Sequence, residues 1–115
     1  MNGEPIQTLI GAQLTSVEFV QDYVQLRFDG PVLTVNAPFQ ILVQDRAYEK
    51  GSTGYRDALC ERIGCHVQRA FTIPEQQLAI EFDGNSKLAI SLKSEDQISP
   101  EAAILTQGAT QICVW

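Results

Sequence analysis

Two stretches of the chain, residues 10–35 and 63–90, repeat one pattern of apolar and polar positions. Each begins Ile-Gly, at Ile10 and Gly11 and again at Ile63 and Gly64. Each places an apolar residue three positions after the glycine, Leu14 and Val67. The first copy then alternates through Val24, Leu26 and Phe28 into Asp29-Gly30. The second alternates through Leu78, Ile80 and Phe82 into Asp83-Gly84. Apolar positions resume at Leu33 and Val35, and at Leu88, Ala89 and Ile90. The offset between the copies drifts from 53 to 55, as short loop insertions produce.

Strict alternation sends successive side chains to opposite faces of a strand. Leu26 and Phe28 therefore share one face and Gln25 and Arg27 the other. Ile80 and Phe82 point inward, Ala79 and Glu81 outward. Asp-Gly after such a run is a hairpin signal, because glycine supplies the positive φ that the turn needs. Gln21-Asp22 and Pro74-Glu75-Gln76 mark a second turn in each copy. Each copy thus predicts a three-stranded antiparallel meander, with strands near 13–20, 23–29 and 32–37, then 65–73, 77–83 and 86–93.

Residues 40–43 predict a further short strand, with Ile41 and Val43 on one face. Tyr55, Leu59 and Ile63 recur every fourth position, with Ala58 and Cys60 filling the stripe, which predicts a helix over 54–63. Ser52 or Thr53 would cap its start and Gly64 would end it. A second short helix is expected from Ser99 to near Gly108, with Ser99 as cap, Pro100 in the first helical position and Glu101 beside it. Gln111 to Trp115 alternates and reads as a closing strand. The fold class is α+β and mostly β. Two duplicated meanders pack as a sandwich or as a curved, barrel-like sheet, with one connecting helix. The whole chain, 1–115, reads as one domain with an internal repeat (10–37 and 63–93), a helical linker at 54–63 and a C-terminal tail at 94–115.

A chain of 115 residues can bury roughly two thirds of its unfolded surface without metal or disulfide support. It carries 14 acidic against 8 basic side chains, a formal net charge of −6. That balance argues against nucleic acid as the main partner, since phosphate binding needs clustered Lys and Arg. Three cysteines, Cys60, Cys65 and Cys113, are too few and odd in number for a disulfide framework, so small buried filler in a reducing compartment is expected. The opening residues, Met1 to Ile6, show no charged and apolar leader, and no apolar run approaches the ~20 residues of a membrane span. A cytoplasmic location follows as the expectation, with no membrane contact.

The candidate chemistry is thin. His66 is the only histidine. Its neighbour Cys65 would face the opposite side of a strand, so the two do not form a dyad. The cysteines and His66 lack the paired spacing of a zinc site, and no Gly-rich phosphate loop is present. Gly51-Ser52-Thr53-Gly54 reads as a loop and helix cap rather than an anion cradle. Asp29 and Asp83 are turn residues by the repeat itself. No catalytic residue, metal ligand or cofactor is expected.

The candidate binding residues are six. Tyr55, Arg56 and Asp57 open the helix and are of, or beside, the residue types that dominate interfaces. Asp96 and Glu101 belong to an acidic cluster that either caps a helix or meets a basic partner. Trp115, the only tryptophan and the last residue, is a core plug or an exposed anchor, with packing favoured.

Three features carry a resemblance: Gly54-Tyr55-Arg56-Asp57-Ala58-Leu59-Cys60, the two Phe-Asp-Gly hairpins, and Ser99-Pro100-Glu101-Ala102 with the final Val-Trp. On these, residues 10–115 resemble a family of small bacterial domains of unknown function, a resemblance that implies no activity. More loosely, the chain is similar to immunity proteins of bacterial polymorphic toxin systems, which are small, acidic, cytoplasmic and often duplicated β-rich domains that block a toxin. The functional expectation is a non-catalytic protein-binding module of that kind. The alternative is a small-molecule binder or enzyme with a pocket between the two meanders. Homodimerisation through the C-terminal strand is a third expectation, since an exposed edge invites pairing.

Overall fold

Alternation along the strands leaves each sheet one apolar face, and two such faces must be buried against each other. The computed structural model, which describes residues 4–97 and 99–115, shows this arrangement. Met1, Asn2 and Gly3, on which part of the leader expectation rests, lie outside the described residues. The first unit runs through β1 (Leu14–Val20), β2 (Tyr23–Phe28), β3 (Pro31–Val35), β4 (Phe39–Val43) and β5 (Arg46–Glu49). A short helix, α1 (Tyr55–Cys60), leads into the second unit. That unit comprises β6 (Val67–Ile73), β7 (Gln77–Phe82), β8 (Ser86–Ser91), β9 (Ala103–Gln107) and β10 (Thr110–Val114).

Both expected meanders form. They do not, however, close on themselves. One sheet has the order β1-β2-β3-β9-β10 and the other β5-β4-β8-β7-β6. Each unit thus gives its last hairpin to the other unit's meander. Val35 pairs with Ala103 as Ile90 pairs with Phe39. Both sheets are open, so the architecture is a sandwich and not a closed barrel.

The repeat therefore extends past its legible part. At the turn between β4 and β5, Gln44 takes φ +54°, and Gly108 takes φ +61° at the matching turn between β9 and β10. Near the pseudo-two-fold axis, Gln13 and His66 form a bridge. Around it the bonds come in matched pairs: Gly11 N donates to Val67 O and Gly64 N to Leu14 O, both at 2.8 Å. The Asp29 carboxylate accepts from the Gln13 amide at 3.1 Å, and the Asp83 carboxylate from the His66 amide at 3.3 Å. Each Phe-Asp-Gly turn thus holds, through its aspartate, its own unit's bridging residue, Gln13 or His66.

The core is filled from both sheets by residues such as Leu14, Leu26, Leu33, Ile80, Leu88 and Leu105. Ile6 and Leu9, from a 3₁₀ turn at Pro5–Leu9, pack into it, as do Ala58 and Leu59 of α1.

Four expectations are corrected. The second helix does not form: Ala103 and Leu105 are fully buried while Ile104 and Thr106 face away, a period of two, and five residue pairs join the segment to β3. Gly108 is accordingly a hairpin residue, not a helix stop. The segment 94–115 is thus no tail but a 3₁₀ turn at Ser94–Asp96 and the hairpin β9–β10. Helix α1 is shorter than 54–63, because Arg62 N bonds Leu59 O and Ile63 N bonds Cys60 O, tightening the chain into 3₁₀-like turns before Gly64. Its cap is Gly54, since the Ser52 hydroxyl is engaged with Glu49, donating to its carbonyl at 2.6 Å. Strand β5 was not predicted: it is short, charged at both ends and at a sheet edge.

Candidate functional site

A cleft of about 1080 Å³ opens on the surface. Phe19, Tyr23 and Asn36 of the first unit contribute to its wall, as do Gln76, Gln77 and Ser91 of the second. At one side three aromatic rings meet. Tyr55 lies 6.1 Å from Phe19, edge to face, and 5.8 Å from Phe39. The Arg56 guanidinium stands over the Phe19 ring at 5.9 Å from its centroid.

Local backbone chemistry builds this cluster. Gly54 takes φ +87°, so the chain enters α1 abruptly and Tyr55 occupies the first helical position. Close approach requires glycine there, because a Cβ would sit 3.1 Å from Cε1 of Tyr48. Phe39 opens β4 directly after Pro38, and Phe19 sits one residue before the end of β1. Burial of the Tyr55 phenol raises its pKa, with the nearby Arg56 charge acting in the opposite direction.

Asp22, Glu49, Asp57 and Asp96 line the cleft together with Lys50, Arg56 and Lys93. Charge is thus nearly balanced there, and the net charge of −6 resides mostly elsewhere. Asp96 is held in place: its carboxylate accepts from the Ser91 hydroxyl at 2.6 Å.

Of the expected site residues, Tyr55, Arg56, Asp57 and Asp96 are brought together on this cleft. Glu101 and Trp115 are not part of its lining. Glu101 offers its backbone carbonyl to the Asn36 side chain at 3.1 Å. Trp115 packs against the core and continues the sheet, its amide donating to Ala103 O at 2.9 Å. Phe19 and Phe39 were missed. The available signal was Phe19-Val20, two adjacent apolar residues that break the alternation at a strand end and are each 36% exposed.

Cys60, Cys65, His66 and Cys113 lie outside the cleft lining. Burial raises the Cys65 thiol pKa, the reverse of an activated nucleophile. The His66 ring lies exposed, 3.8 Å from the Asp83 carboxylate. Cys60, Cys65 and Cys113 are all free thiols. Among the described residues no three His, Cys, Asp or Glu side chains gather as metal ligands, and no helix is long and apolar enough to cross a membrane. The outer edges of the sandwich include β10, where Val114 is 39% exposed.

Comparison with known proteins finds no matching family model, no matching curated protein and no matching solved structure.

Proposed function

We propose that this chain is a non-catalytic protein-binding module of the immunity type, acting in the bacterial cytoplasm, whose cleft takes a segment of a partner protein. The observation that carries this reading is the Phe19–Tyr55–Phe39 cluster, with Arg56 laid on Phe19, at the wall of a cleft shared by both units. Aromatic and arginine side chains in partly desolvated surroundings are the usual anchors of protein interfaces. The volume of about 1080 Å³ lies at the upper end of small-ligand pockets, which run to roughly 1,000 Å³. A cleft of that breadth suits a stretch of polypeptide. The net charge of −6 favours a basic partner and speeds its capture at low salt. Nucleic acid fits neither this charge nor the near-balanced cleft.

A photo-crosslinking group placed at Gln77 tests this reading in extract of the native cell. One protein should be captured at low salt and less of it at high salt. Phe19→Ala should weaken capture about 30-fold, corresponding to loss of a hot spot of about 2 kcal/mol. Capture that is absent at low salt, or equal in the parent and Phe19→Ala, defeats the reading. The alternative, a small-molecule binder, uses the same cleft and draws support from the amide side chains Asn36, Gln40, Gln76 and Gln77 along it. A metabolite that raises the melting temperature of the parent but not of Arg56→Glu would favour it.

A further inference from the structure

We propose that this chain forms a reciprocal dimer with a second copy of itself, in which each first unit pairs with the second unit of the other chain. The inference rests on the strand order and stands apart from any reading of the cleft. Neither unit completes a sheet alone: β3 of the first needs β9 of the second, and β8 of the second needs β4 of the first. Each of these joints comprises five residue pairs. The bridge between Gln13 and His66 adds a third joint between the units.

One covalent connection joins the units, the loop at residues 50–54. It lies on the surface, with residues 50–53 exposed. Two successive turns fold it back: Ser52 N donates to Glu49 O at 2.9 Å and Tyr55 N to Ser52 O at 3.3 Å. Gly51 and Gly54 supply the positive φ values, +93° and +87°. If the loop straightens, every pairing between units can be remade with a second copy, because the second copy presents identical strands. The closed monomer and the exchanged dimer then differ in the loop alone, the usual condition for domain swapping. The intramolecular partner is present at an effective concentration in the millimolar range, so dilute refolding gives monomer and concentrated refolding gives dimer. Once formed, the dimer separates only by breaking β3–β9 and β4–β8 pairing, which requires unfolding. Lys50, Gly51, Ser52 and Gly54 also line the cleft, so the exchange remodels one of its walls.

The experiment unfolds the full chain in urea and refolds it over a range of protein concentrations, with mass read by light scattering on a sizing column. The expected result is a dimer whose share rises with refolding concentration, which keeps the monomer's circular dichroism and persists for hours after dilution. Gly51→Pro fixes φ near −65°, which the closed turn does not accept, and should raise the dimer share several-fold. Monomer alone at every concentration overturns the proposal. So does a dimer that dissociates promptly on dilution, which marks ordinary surface association. Should Gly51→Pro fail to fold, the parent chain by itself still decides the outcome.

Discussion

At Gly54 the backbone conformation and the space available impose the same requirement. A side chain there meets both the strain of φ +87° and the Tyr48 ring at 3.1 Å. Gly54→Ala should lower stability by roughly 1–2 kcal/mol, the cost of placing an L-residue in the left-handed region, read as a lower urea midpoint with unchanged slope. Its neighbour Tyr55 links stability to pH. Burial raises the folded-state phenol pKa above the ordinary value of about 10 that the unfolded chain retains. The neutral phenol's contribution is therefore complete below about pH 10 and is lost as pH rises through the folded value. Urea titrations of the parent and Tyr55→Phe from neutral to strongly alkaline pH should diverge above that point, with the parent falling faster. Parallel curves would show that the phenol does not titrate with unfolding.

The element scale is where the units meet. Leu105, fully buried on β9, reaches the core through a strand held by β3 of the other unit. Leu105→Ala should cost about 2–5 kcal/mol, as large-to-small core changes do. A β9 that merely decorated the sandwich would lose far less. The paired turns give a milder test. Gly108 takes φ +61° freely, whereas Gln44 holds φ +54° against its own Cβ. Gln44→Gly relieves that strain at the expense of unfolded-chain entropy, so a change within about 1 kcal/mol and toward greater stability is expected in thermal melts. This contrast also explains why the β4–β5 and β9–β10 hairpins show no repeat in their residues. Phe39 matches Ala103 and Gln44 matches Gly108 by position in the sheet, yet the residue types at the matched positions differ. For β9, Ser99-Pro100-Glu101 carries a strong helix-start signal. Alternation of Ala103 and Leu105 with Ile104 and Thr106 is weaker locally, and pairing with β3 decides in its favour.

Across the whole molecule, exchanged hairpins leave no half that can unfold by itself. Trp115 packs on the core beside β9, so its fluorescence reports the second unit's end within the first unit's sheet. Fluorescence and far-ultraviolet circular dichroism should give one coincident urea transition. Two separated transitions would contradict the coupling. The site, too, exists only at this scale. Tyr55, Arg56, Asp57 and Asp96 could be selected from residue type and helix position, but Phe19 and Phe39 join them through contacts spanning tens of residues of chain.

The six strands of the two meanders, their inward faces and the Asp-Gly turns were determined by the sequence itself, because alternation and turn chemistry act between residues a few positions apart. Which meander each hairpin completes, whether residues 103–107 wind or extend, and where the aromatic cleft opens were decided only in the tertiary structure. Those outcomes depend on backbone pairing and burial between distant segments, and a strand's own residues carry no record of which neighbour will satisfy its free edge.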